Sequence, residues 1–200
     1  MSPFGRIAVL ALALSVSACS SASPETPEAA PASIAPTVEA TTEEPAGPGA
    51  TPEPGRQVTF ATVESGGDRV LTVGSDGVVK LGGYDDRALF VAVPSGPGFL
   101  LKTGTLRTGG EAYCLQVNAP GGANPLRLRT EACDAPEKDQ IFTFPEPPAD
   151  SPGRLIEVAG LFALAAPEGD RVIVQEAGEG DFMTNFKVAD RGKATIPALD

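Results

Sequence analysis

The stretch Tyr113–Phe144, YCLQVNAPGGANPLRLRTEACDAPEKDQIFTF, decides how the rest of the chain is read. It holds a short strand carrying Cys114, a second strand ending at Cys133, and an apolar run, Ile141-Phe142-Thr143-Phe144, after Asp139-Gln140. Short apolar runs punctuated by Gly, Asp and Pro are the mark of strands joined by turns.

The same texture extends from Gln57 to the end of the chain. Candidate strands before the quoted stretch are Gln57–Val63, Val70–Val73, Val78–Leu81, Ala88–Val93 and Phe99–Thr103. Within it they are Ala112–Val117, Leu126–Thr130 and Gln140–Phe144, and beyond it Arg154–Val158, Leu161–Ala165, Arg171–Glu176 and Asn185–Ala189. No window sustains a helical period. The strands fall into three copies of four, spanning about 57–97, 98–152 and 153–190. Val70–Val73, the turn Gly74–Gly77 and Val78–Leu81 parallel Cys114–Val117 with Leu126–Thr130. They also parallel Leu161–Ala165, the turn Pro167–Asp170 and Arg171–Glu176. Each copy opens with one strand and closes with another carrying Phe90, Phe142 or Phe186. This pattern predicts an all-β domain over 56–190, a β-trefoil of three four-strand repeats, with residues 191–200 as a tail. The three phenylalanines are expected in a shared core, where large aromatics supply much of the buried area. A β-sandwich is the alternative arrangement of many evenly spaced short strands.

The middle copy carries a resemblance. Cys114-Leu115-Gln116-Val117, then Leu126-Arg127-Leu128 ahead of Cys133, then Gln140-Ile141-Phe142 resemble one lobe of a ricin-B-type lectin, with Phe where that family has Trp. The resemblance implies a β-trefoil, and a sugar pocket with three elements. These are an aspartate two residues after the first Cys, an aromatic two before the second, and an amide pair ahead of the Trp. In this chain the positions hold Gln116, Glu131, and Asp139 with Gln140. The aspartate position in the other copies holds Thr72 and Ala163, so the galactose-type pocket is replaced. The polar set Gln116, Asn118, Arg129, Glu131, Asp139 and Gln140 is the candidate carbohydrate site, the alternative being ordinary solvated surface.

The first 18 residues place one cation, Arg6, before the apolar run Ile7–Leu14, which is too short for a bilayer span and has the shape of a secretory signal. Val16-Ser17-Ala18-Cys19 looks like a bacterial lipobox, which implies cleavage before Cys19 and its lipidation; ordinary cleavage near Ala18 is the alternative. Residues 19–55 follow as a linker, with eight prolines and six glutamates between Ser20 and Gly55 and no cation, a composition that resists packing. Export and the lectin resemblance together assign Cys114 and Cys133 to a disulfide, two reduced core thiols being the alternative.

The chain has 26 Asp and Glu, 15 Lys and Arg, and no His. The absence of His removes the commonest general base and histidine metal sites. No nucleophile elbow, Walker sequence or paired-Cys metal motif occurs, and Glu176–Asp181 reads as an acidic hairpin turn rather than a calcium loop. Arg127 and Arg129 are the nearest approach to a basic cluster, well short of a nucleic-acid stripe. The expectation is a non-catalytic lectin-like module, monomeric, without metal or cofactor, held on the extracytoplasmic face of a membrane through Cys19. It would bind a glycan or envelope polysaccharide. The alternatives are a protein-binding or protease-inhibitor-like β-trefoil presenting Val93–Gly98 or Glu146–Gly153, or a structural envelope lipoprotein with no specific ligand.

Overall fold

The computed structural model describes residues 49–106, 109–148, 151–178 and 183–196, all within the unit Thr42–Asp200. The signal segment, Cys19 and the linker up to residue 48 lie outside the described residues, as do parts of 146–153 and 176–181.

The described chain is all-β. Its strands are β1 (Arg56–Thr62), β2 (Val70–Val73), β3 (Val79–Gly82), β4 (Phe90–Ser95), β5 (Gly98–Leu106) and β6 (Ala112–Asn118). They continue as β7 (Arg127–Ala132), β8 (Ile141–Thr143), β9 (Glu157–Val158), β10 (Leu161–Ala165), β11 (Val172–Gln175) and β12 (Phe186–Lys193). Each overlaps one of the twelve expected segments. All pairings are antiparallel, along the path β11-β10-β9-β8-β5-β4-β1-β2-β3, with β12 on β1, β6 on β5 and β7 on β6.

Three hairpins share one register. Val73 faces Val79 and Ala165 faces Val172 at the turn ends of β2–β3 and β10–β11, and Val117 faces Leu128 one pair in from the turn end of β6–β7. The hairpins touch one another through the bridges Val78↔Arg129, Leu126↔Val174 and Lys80↔Arg171. Matching backbone bonds join Thr130 N to Gly77 O at 2.8 Å, Val174 N to Leu126 O at 2.9 Å, and Leu81 N to Asp170 O at 2.7 Å.

The three phenylalanines expected in the core, Phe90, Phe142 and Phe186, are there. They are fully buried in one cluster with Phe60, which was not singled out, and with Leu71, Leu101, Leu115, Leu128 and Ile156. Phe90 is paired to Val58 on one side and Thr103 on the other, Phe142 to Phe99 and Val158, and Phe186 to Arg154 and Thr62. Each of the three therefore sits in a strand flanked on both edges, where period-two alternation aims its ring inward. Burial of one such ring contributes roughly 2–3 kcal/mol.

Several boundaries differ from expectation for local reasons. β4 starts at Phe90 because Asp86–Ala88 is a 3-10 turn, capped where the Asp85 carboxylate accepts from Arg87 N at 2.9 Å. Lys138–Gln140 is a second such turn, capped by Glu137, so Gln140 precedes β8 rather than belonging to it. Of Arg154–Val158 only Glu157–Val158 is strand, because Leu155 N bonds to Pro145 O and Arg154 makes its single bridge to Phe186. β12 runs three residues past the expected domain end at 190, Lys193 pairing with Arg56, so Arg191–Lys193 are strand and not tail. At the other end, residues 49–55 pack on the domain instead of continuing the linker. Pro52 is buried, Gly55 N donates to Ala92 O at 3.2 Å, and Gly55 O accepts from Ala194 N at 3.0 Å. Segment Val93–Gly98, the loop that the protein-binding alternative would present, is a tight hairpin. Ser95 faces Gly98 across Gly96-Pro97, with Gly96 at φ 54° supplying the left-handed corner.

Cys114 and Cys133 form a disulfide, joining residues 19 apart with Cα atoms 4.9 Å from each other. Closing a loop of that length stabilises the fold by about 3 kcal/mol in the chain-entropy model.

Candidate functional site

The β6–β7 register sets Cys114 against Glu131, Gln116 against Arg129, and Asn118 against Arg127. Leu115, Val117 and Leu128 enter the core, so those six polar or sulfur-bearing residues share the opposite face. Four of the six expected site residues, Gln116, Asn118, Arg129 and Glu131, are thereby brought onto one hairpin face.

Gln140 plays a different part from the one its sequence position suggested. Expected as a surface amide, it is 1 % exposed. Its Nε2 donates to Gln116 Oε1 at 2.9 Å and to Ala132 O at 2.8 Å, and its Oε1 accepts from Asp134 N at 2.9 Å. A buried amide must be satisfied, and the backbone on either side of Cys133 supplies partners from 8 and 6 residues away. Gln140 is therefore a support that fixes Gln116 and the segment after the disulfide. Asp139, half-buried in the same turn, is held through its backbone N, which donates to Glu137 Oε1 at 3.3 Å.

Arg129 and Glu131 line a cleft of about 480 Å³ between their hairpin and the turn Gly74–Gly77. Its other walls include Tyr113, Asp76, Arg87 and Thr130. Gln116, Asn118, Asp139 and Gln140 do not line it; of these, Gln116 and Gln140 form the amide pair beside the disulfide, so the expected set is not gathered into one site. The floor is fixed by Gly77, at φ +78°, whose carbonyl accepts from both the backbone N and the hydroxyl of Thr130, at 2.8 and 3.3 Å. A Cβ at Gly77 would come within 2.8 Å of that hydroxyl, so the turn seats there only as glycine.

Arg129 Nε stands 2.9 Å from Glu131 Oε1, although the N–H does not point at the oxygen and makes no hydrogen bond. The side chains are 39 % and 43 % exposed, so the pair adds little to stability and is open to exchange partners. A guanidinium beside a carboxylate offers donors and acceptors to paired hydroxyls, and Tyr113 adds an aromatic wall. Across the cleft Arg87 forks onto Asp85 at 3.1 and 2.6 Å, and this guanidinium holds the Asp85 carboxyl below the usual aspartate range.

Tyr113 and Asp76 were not singled out from sequence. No local motif marks them: they meet because the Val78↔Arg129 bridge sets the turn Gly74–Gly77 against β7. Among the described residues no group of three or more His, Cys, Asp or Glu converges as a metal site. Compared with known proteins, the chain matches no family model and no curated protein.

Proposed function

We propose that this chain is a non-catalytic β-trefoil of the ricin-B-lectin kind, held at the cell envelope through Cys19, that binds a glycan. The trefoil reading is supported by the threefold recurrence of hairpin register, interhairpin bridge and doubly flanked phenylalanine. The β12–β1 ladder and the Arg154–Phe186 bridge support a barrel in which β12 links β1 to the segment just before β9. The envelope anchor rests on Val16-Ser17-Ala18-Cys19 and the proline-rich linker.

The observation that carries glycan binding is the cleft that the Arg129–Glu131 pair and Tyr113 line together. Sugar hydroxyls bind where donor and acceptor lie side by side, and the apolar face of a pyranose covers an aromatic ring. The volume lies in the range of small-ligand sites. A glycan array probed with the full chain, followed by titration of the best hit, tests this. Arg129→Ala combined with Glu131→Ala should weaken the hit at least tenfold and leave the melting temperature nearly unchanged. An array without hits, or a double variant that binds as the parent does, would leave protein binding or a structural role ahead.

A further inference from the structure

A second and larger pocket, about 590 Å³, opens where the three hairpins meet. Each hairpin sends one cation to its lining: Lys80 from β3, Arg127 from β7, and Arg171 from the turn into β11. These residues are 47 and 44 positions apart in sequence, and only the bridges between hairpins gather them. We propose that this pocket binds a small anionic saccharide, one carrying a carboxylate or a phosphate group, at a site that shares only the turn residues Gly74, Ser75 and Asp76 with the Arg129–Glu131 cleft.

The charges are incompletely matched from within. Lys80 is 3.6 Å from Asp170, a loose pair whose side chains are 48 % and 56 % exposed. Asp76 already accepts from Val78 N at 3.1 Å. Arg127 and Arg171 make no ion pair among the described residues, and Arg127 Nε is shut away from solvent without a hydrogen bond. A guanidinium partly stripped of water and lacking a counter-charge favours an incoming anion, and its planar fork suits carboxylate and phosphate oxygens. The volume far exceeds that of a bare oxyanion and falls in the range of small-molecule sites. Asn124 in the lining offers a neutral amide for hydroxyls, and the half-buried Val78 and Ile173 give it an apolar wall. An extended polyanion is disfavoured because the chain as a whole carries a net charge of −11 and would repel whatever reaches beyond the pocket.

The test is titration of the full chain with glucuronate, glucose 6-phosphate and neutral glucose, by calorimetry at low salt. At least one anionic sugar should bind saturably and at least tenfold more tightly than glucose, and the two anions together tell a carboxylate site from a phosphate site. Arg127→Gln and, separately, the exposed Arg171→Gln should each weaken that sugar about fivefold or more, whereas Asp170→Asn should strengthen it. Raising the salt should weaken it as well. Arg129→Ala, in the other cleft, should leave it unchanged, so this site stands or falls independently of the proposed glycan cleft. Equal binding of glucose and both anions would overturn the assignment. So would an Arg171→Gln protein that unfolds at the parent temperature and binds with unaltered affinity, or loss of the anionic sugar in Arg129→Ala.

Discussion

The Gln140 amide donates to Gln116 and to the Ala132 carbonyl and accepts from the Asp134 N–H, so three polar groups around the disulfide depend on one side chain. Truncation removes those partners inside the fold, and an unsatisfied buried polar group costs about 1–3 kcal/mol. Gln140→Ala should therefore lower stability by about 2 kcal/mol, read as a shift of the urea midpoint at constant slope. An unchanged midpoint would show that the amide is not the support described. In the sequence Gln140 is one polar residue ahead of an apolar run, and nothing local marks it as interior. Its decisive partner, Gln116, lies 24 residues away.

At the scale of elements, the fit of β5 against β8 depends on Gly98. Its backbone is of ordinary extended type, so the constraint is space: an added Cβ would fall on the Phe142 carbonyl, in a strand whose ring is at the centre of the core. Relieving that overlap must displace either the Gly96-Pro97 turn or Phe142, and overpacking of this kind costs about 1–3 kcal/mol. Gly98→Ala should lower the melting temperature accordingly, whereas Gly96→Ala should act through strain at φ 54° with no added contact, since its Cβ meets open space. The strands themselves were legible because β-branched and aromatic runs bounded by Gly, Pro and Asp leave few other choices. The 3-10 turns before β4 and β8 were not legible, since their caps are single carboxylates, Asp85 and Glu137, indistinguishable from other surface acids.

On the scale of the whole domain, its first and last strands are joined by the ladder of β1 and β12, closed by Arg56 Nε donating to Asp190 Oδ2 at 2.6 Å. Burial of Asp190 pushes its carboxyl up, but the Arg56 guanidinium and the Gly192 amide outweigh it and hold the group below the ordinary aspartate value. A carboxyl depressed in the folded state contributes stability above the unfolded aspartate pKa, about 3.9, and loses it as pH falls through the lower folded value. Acid unfolding curves should therefore show a loss below about pH 4 that Asp190→Asn flattens. That variant should be less stable at pH 7 by about 1–2 kcal/mol. What the sequence by itself determined is the all-β character, the twelve strand positions and the core phenylalanines, whereas the pairing of Cys114 with Cys133 was implied by export and the lectin resemblance and is decided by the structure. The first three follow from side-chain period and turn chemistry, which are properties of neighbours along the chain. Tertiary structure alone decided that Gln140 is interior, that residues 49–55 and Arg191–Lys193 belong to the domain, and that Lys80, Arg127 and Arg171 share one pocket. Each of those depends on contacts between distant segments, whose geometry is set by strand register and hairpin docking and leaves no trace in local composition.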